Sequence, residues 1–312
     1  MINRDYQYMK RAERLADFRI EERSLYLFER DAEYRSYACA DIIRANQTNI
    51  AVVELEYIEK DEMRVVDSSA PNIPLGSQKA IEELVQSFGY RRVYIDVTGM
   101  NVRISAALLL RLTSMGVETH AVYAEPNKYL SEQFHKEGED HEWAGEIDDI
   151  VPLPGFSNIA DPCDEFIFCV FLGFEGGRFT HMLREMQPIE DLTVPVFGIP
   201  GFRIEYPYNA YWSNRKGLKE TESAANVKYA SANSIVDAYM LLNRILKAGK
   251  NMKMIVAPIG TKPHTIASIA FAITHFNNVE IAYDNPKKTE PRAEGVGLIL
   301  DCNMTKLLSE NP

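Results

Sequence analysis

The sequence predicts an α/β protein of two Rossmann-like halves with mostly parallel sheets. Three observations predict it. Short apolar runs alternate with helical stretches along the chain, and parallel neighbours need a crossover helix between them. The runs are continuous, as in VYIDV and FIFCVFL, which is the pattern of strands covered on both faces. Two stretches far apart in the chain also resemble each other, which marks an internal repeat.

At roughly 150 residues per domain, 312 residues allow about two domains. The halves are expected at 1–140 and 160–312. The stretch 127–162, which is irregular, acidic and punctuated by Gly and Pro, is the boundary.

In the first half, residues 21–45 read as a helix, because Leu25, Phe28 and later apolar residues recur every three to four positions. Residues 50–57 form a strand and 59–76 a polar loop. Residues 77–87 form a helix with Ser77 as its N-cap. A buried strand at 93–97, an apolar helix at 104–115 stopped by Gly116, and a strand at 119–123 complete the half.

The second half repeats this grammar. Residues 166–172 form a strand, GFEGGR at 173–178 a turn, 179–186 a helix and 193–199 a strand. Residues 200–230 are a long polar and aromatic insertion carrying Tyr206, Tyr208, Tyr211, Trp212, Arg203, Arg215 and Lys216. Loops of that length are lids, interfaces or packed loops. A helix at 231–248, a strand at 252–257, a helix at 266–276 and strands at 279–283 and 296–302 follow.

The repeat aligns residues 93–126 with 254–286. Gly99 falls on Gly260, Asn101 on Lys262, Arg103 on His264, Tyr123 on Tyr283 and Pro126 on Pro286. A weaker echo aligns 20–30 with 174–185 and places Arg23 on Arg178.

In an open parallel sheet, ligands bind beyond the carboxyl ends of the strands. Gly99 and Gly260 are expected there, each before a helix whose first amides carry partial positive charge. Thr98, Asn101 and Arg103 around the first turn, and Thr261, Lys262 and His264 around the second, are suitable partners for a phosphate or a ribose. Gly176, Gly177 and Arg178 add a third strand end. The same glycines also fit plain tight turns, and Arg178 also fits an ion pair with a helix or interface carboxylate. Glu175 and Asp96 are the nearest carboxylates, each a candidate acid or base, with a capping role as the alternative for Asp96. Neither a P-loop nor a G-x-G-x-x-G fingerprint is present.

Composition narrows the classes further. Basic residues number 34 and acidic residues 45, a net charge of −11, so no long-range attraction for nucleic acid is expected. A small anionic ligand stays open, since amides cradle phosphate whatever the net charge. Cys39, Cys163, Cys169 and Cys302 form no CxxC pair, so neither structural zinc nor a disulfide framework is expected, but reduced thiols in a cytoplasmic protein are. No apolar run is long enough to span a membrane, and the first residues hold no apolar signal core. No HExxH or GxSxG occurs, and His135, Asp140 and His141 read as a solvated acidic loop rather than a metal site. No metal or cofactor is expected.

A strand, a Thr-Gly or Gly-Thr-Lys turn, an Ala-rich helix and a strand ending in Tyr resemble the CRISPR-associated Rossmann fold, the CARF domain. Two such units in one chain resemble the related SAVED arrangement of bacterial antiviral signalling. The resemblance implies sensing of a cyclic or linear oligonucleotide second messenger in a groove across the two units. It carries the ligand role onto Thr98, Gly99, Asn101 and Arg103 and, more closely, onto Gly260, Thr261, Lys262 and His264. Met100 and Asn101 depart from the family, which favours Thr-Lys there. No recognisable effector segment is attached, so a protein partner bearing that activity is expected, and a homo-oligomer is compatible. Three readings stay open: a sensing module without turnover, an enzyme acting on a nucleotide, and a scaffold subunit of a larger complex.

Overall fold

The computed structural model describes residues 5–130, 150–156, 165–250, 252–286 and 291–310. Cys163, His135, Asp140 and His141 lie outside the described residues. The chain divides into two compact units, one of 1–130 with 291–312 and the other of 131–290.

In the first unit, helix α1 (Asp5–Tyr8) leads into strand β1 (Met9–Ala12). Strand β2 (Ser24–Phe28) is followed by α2 (Arg35–Asn46) and β3 (Ile50–Ile58), onto which β4 (Glu62–Val65) and β5 (Ile73–Pro74) fold back antiparallel. Helix α3 (Gln78–Ser87) then leads to β6 (Arg92–Asp96), α4 (Val102–Ser114), β7 (Glu118–Ala124) and β8 (Lys128–Tyr129). As expected, the Ser77 hydroxyl caps α3 by accepting from Ala80 N, and Gly116 ends α4 at a positive φ of 65°.

The second unit contains β9 (Ile167–Leu172), α5 (Gly176–Met186), β10 (Thr193–Gly198), α6 (Tyr206–Glu220), β11 (Lys228–Ala230), α7 (Ile235–Ala248), β12 (Met254–Pro258), α8 (Lys262–Thr274) and β13 (Val279–Ile281). The chain then returns to the first unit with β14 (Ala293–Glu294), β15 (Ile299–Asn303) and α9 (Met304–Glu310).

Both sheets are built on one plan. The first runs β1-β15-β7-β6-β2-β3-β4-β5 and the second β11-β10-β9-β12-β13. Within the first, β7, β6, β2 and β3 are parallel; the second is parallel throughout. Counting the parallel strands in chain order, the first unit runs fourth, third, first, second and the second unit fifth, fourth, first, second, third. The chain reverses its direction of winding between β2 and β6, and again between β9 and β12. A crevice at the carboxyl ends of such strands is where α/β sheets hold ligands.

Every residue of β2 and β9 is buried, in keeping with helices on both faces. One core packs Tyr26, Phe28, Tyr94 and Val122 against Cys39, Ala40 and Ile43 of α2. The other packs Phe168, Val170 and Leu172 against Phe179 and Met182 of α5 and Ala210 and Leu218 of α6. No helix among the described residues is long and apolar enough to cross a membrane. Cys39, Cys169 and Cys302 are buried thiols.

Four expectations are corrected. Residues 21–45 are a strand and then a helix: a five-residue buried strand presents Leu25 and Phe28 three apart, as a helix would. Residues 59–76 contain β4 and β5. The insertion at 200–230 contains the 15-residue helix α6 and ends in β11. The buried stripe of α6 is Tyr206, Ala210, Asn214, Gly217 and Leu218, and its Asn and Gly hide the apolar period from the sequence. The last strand, β15, completes the first sheet between β1 and β7, so residues 291–312 leave the second half and join the first unit.

Candidate functional site

In the first unit, the turn after β6 is held together by its own side chains. Asp96 is fully buried; it accepts from Thr98 N at 3.0 Å and from the Tyr26 hydroxyl at 2.7 Å. Burial pushes its carboxyl up to about 6. It caps its own turn rather than a neighbouring helix. Buried Thr98 accepts from Ala124 N at 2.9 Å and so ties this turn to the end of β7. Gly99 has a local reason to be glycine, since a Cβ there would collide with the Glu29 carbonyl oxygen and the Ser36 side chain.

Asn101 is the N-cap of α4, its side-chain oxygen taking Arg103 N at 2.8 Å. Its own amide is taken by Glu29, whose Oε2 is 2.6 Å away, while Glu29 Oε1 accepts from Tyr57 N at 2.8 Å. Arg103 turns to Asp61 in a salt bridge through both Nε and Nη2. The anion position at the start of α4 is thus filled by a carboxylate of the same chain. Thr98 is thus buried on backbone partners, and the Arg103 guanidinium is paired with Asp61.

Close by lies a second buried polar group. Arg35, the first residue of α2, donates Nε to Glu33 at 2.6 Å and Nη1 to the Ala124 carbonyl at 2.9 Å. Its guanidinium lies 5.7 Å from the ring centre of Tyr123. Glu33 also accepts from Arg292 N at 3.0 Å.

The second unit also holds a buried arginine paired with carboxylates. Arg178, in the first turn of α5, donates Nε and Nη2 to Asp284 at 2.7 and 2.6 Å and Nη1 to the Ile259 carbonyl at 3.2 Å. Glu175 is 3.4 Å from Nη1, and the Tyr283 ring centre is 6.0 Å from the guanidinium carbon. Burial works against the charge of Arg178, but the hydrogen bonds and charge of Asp284 outweigh it and hold the group above its ordinary value. Of the two readings of Arg178, the structure shows the ion pair. Glu175 and Asp96 are both buried within such contacts.

Two glycines bring the strand-end loops of β9 and β12 together. A Cβ at Gly173 would lie 3.0 Å from the Ile259 carbonyl oxygen, and one at Gly260 3.0 Å from that of Leu172. Thr261 caps α8: its hydroxyl accepts from His264 N and donates to the Ala232 carbonyl at 2.8 Å. His264 sits in the first turn of α8. It is fully buried, with Nε2 3.0 Å from the Ser231 carbonyl and its ring 4.7 Å from that of Phe171. Burial pushes it down to about 4, so the ring is neutral. Gly260, Thr261 and Lys262 remain half-buried at the loop surface.

Gly176 and Gly177 open α5, and the Glu175 side chain does not cap this turn. Gly176 serves packing too, because a Cβ there would collide with the Ser213 carbonyl of α6. Asn214 of α6 fixes the same loop by donating to the Gly173 carbonyl at 2.8 Å.

Sequence reasoning found the strand-end turns but missed Glu29, Glu33, Arg35 and Asp284. The signal was an acidic residue two or three positions before an arginine in the first turn of α2 and of α5: Glu33 with Arg35, and Glu175 with Arg178. Arg23, which the weaker echo aligns with Arg178, precedes β2 with a positive φ of 55°.

No protein-family model matches this chain, and no curated protein matches it. Among solved structures it is similar to CobK precorrin-6A reductase, with a TM-score of 0.25 and 10% identity over 87% of this chain and 91% of that one. A likeness that distant carries no argument. Among the described residues, no group of three or more His, Cys, Asp or Glu side chains is placed to hold a metal ion.

Proposed function

We propose that this chain is a cytoplasmic nucleotide-sensing module of a prokaryotic antiviral defence system, in which its two units are divergent copies of one CARF-like element. The ligand is an oligonucleotide second messenger or another phosphate-bearing molecule, and a partner protein carries the effector activity. The observation that carries this reading is the switch point of the second unit. There the ends of β9 and β12 meet glycine to glycine, at Gly173 and Gly260. Gly176 and Gly177 begin a helix on one side, and Lys262 begins one on the other. Backbone amides of this kind, with one lysine, suit phosphate. The matching position of the first unit holds Glu29, so the ligand's phosphate is assigned to the second unit. Sensing is preferred over catalysis because Glu175 and Asp96 are committed to internal contacts.

The test is a thermal-shift panel of cyclic and linear oligonucleotides on the whole chain. Sensing predicts saturable stabilisation, loss of it in Lys262→Ala, and recovery of the nucleotide unchanged. A consumed nucleotide, or a panel without any shift, overturns the reading.

A further inference from the structure

Away from the strand-end loops, exposed apolar side chains gather on one segment of the second unit. Ile199, Ile204, Tyr208, Tyr211, Trp212 and Tyr229 are all exposed, Ile204 at 97%. They belong to the loop after β10, to α6 and to β11, the edge strand of its sheet. Single exposed apolar residues are ordinary, but a concentration from one short segment marks an interaction site.

Helix α6 arranges its share in a stripe. Tyr208, Trp212, Arg215 and Lys219 stand at i, i+4, i+7 and i+11, which is one face of a helix. The buried stripe, from Tyr206 to Leu218, lies on another face. Aromatic residues and arginine are the types that dominate protein interfaces. The segment is also basic within an acidic protein. Arg203, Arg215, Lys216, Lys219 and Lys228 outnumber Glu205, Glu220 and Glu222 in residues 199–230, while the whole chain carries −11.

We propose that this aromatic and basic face of α6 docks an acidic polypeptide segment of a partner protein, with apolar side chains spaced among its carboxylates. The charge of the segment sets the sign of the partner, and the exposed isoleucines and tyrosines call for apolar side chains on it. A single-stranded nucleic acid fits less well. Tyr208 stacks near-parallel to Trp212 from one turn before, with centroids 6.3 Å apart, and the Arg215 guanidinium lies 4.3 Å from the Trp212 ring centre from one turn after. Base stacking needs an open ring face, whereas peptide contacts use ring edges and hydroxyls. The proposal is independent of the ligand reading at the strand ends.

The test uses the whole chain and a fluorescein-labelled peptide of alternating Glu and Leu with one Phe, followed by fluorescence anisotropy. Binding is expected at low salt and is expected to weaken as salt rises. The double variant Tyr208→Ala/Trp212→Ala, and separately Arg215→Glu, are expected to lose about tenfold or more in affinity, with circular dichroism unchanged because these side chains are exposed. A Lys-Leu peptide of the same length is expected not to bind. The proposal is overturned if the acidic peptide fails to bind, or if it binds the variants as well as the parent. It is also overturned if the same substitutions abolish binding of a single-stranded DNA oligomer instead, or if they abolish a self-association seen by sedimentation.

Discussion

The Glu29 carboxylate sits on the backbone amide of Asn101, 2.6 Å from the nitrogen that opens α4, and grips Tyr57 N of β3 with its other oxygen. A helix start is a natural anion site, and here the chain supplies the anion itself. Glu29→Ala strands two amides, and an unsatisfied group of this kind costs about 1–3 kcal/mol. The variant is expected to unfold at lower temperature and to gain more from sulfate than the parent does, with chloride at matched ionic strength as the control. An equal sulfate response in both proteins would reject the internal-anion reading.

Arg178 and Asp284 make the corresponding tie in the second unit, with both partners buried. Removing one member of a buried pair leaves an uncompensated charge, which costs about 3–5 kcal/mol. Asp284→Ala is expected to lose that much in denaturant unfolding. The double variant Arg178→Met/Asp284→Leu is expected to recover most of it, because an apolar replacement of both partners removes the stranded charge. A double variant as unstable as the single one would mean that the arginine has a role beyond the pair.

Glycine positions separate packing from mere turns. A Cβ at Gly176 meets the Ser213 carbonyl, a backbone atom that cannot swing away, whereas a Cβ at Gly76 meets nothing within 4 Å among the described residues. Gly176→Ala is expected to lower stability by about 2 kcal/mol or more through forced separation of α5 and α6, and Gly76→Ala to change it by no more than about 0.5 kcal/mol. Urea midpoints of the two variants give the comparison directly. Equal midpoints would show that α6 moves off α5 without cost.

The alternation of strands and helices was legible because buried parallel strands such as β6 and β9 leave continuous apolar runs between helix signals. Strand β2 was not, since SLYLF is short enough to satisfy either period. Nor was α6, whose inward face is built from Tyr, Ala, Asn and Gly rather than from large aliphatic residues. The glycines at 99 and 260 were recognisable as special. Their reason was not, because it is the close approach of a second backbone, at Glu29 and Leu172, remote in sequence. Asp284 and Glu29 escaped for the same cause: an ion or amide partner many residues away leaves no local pattern.

Acid titration is expected to read the two units in opposite directions. Asp96 titrates near 6 in the folded chain against an ordinary 3.8, because it is buried. The folded state therefore holds its proton more tightly, and this contribution to stability is present below about pH 4 and lost as pH rises through 6. His264 titrates near 4 against an ordinary 6.5, again because it is buried. Its contribution is present above pH 6.5 and lost as pH falls through 4. Each shift is worth on the order of 3 kcal/mol across its window. Asp96→Asn keeps an oxygen for the Thr98 amide, turns the Tyr26 hydroxyl to an acceptor of its NH2, and removes the titration, so the variant is expected to gain stability from pH 4 to 6 more steeply than the parent. His264→Gln removes the opposite slope, so its stability is expected to rise less, or to fall, over the same interval. Denaturant midpoints at half-unit steps between pH 4 and 7 measure both. Slopes that change in the same direction for the two variants would overturn the assignment of these buried groups.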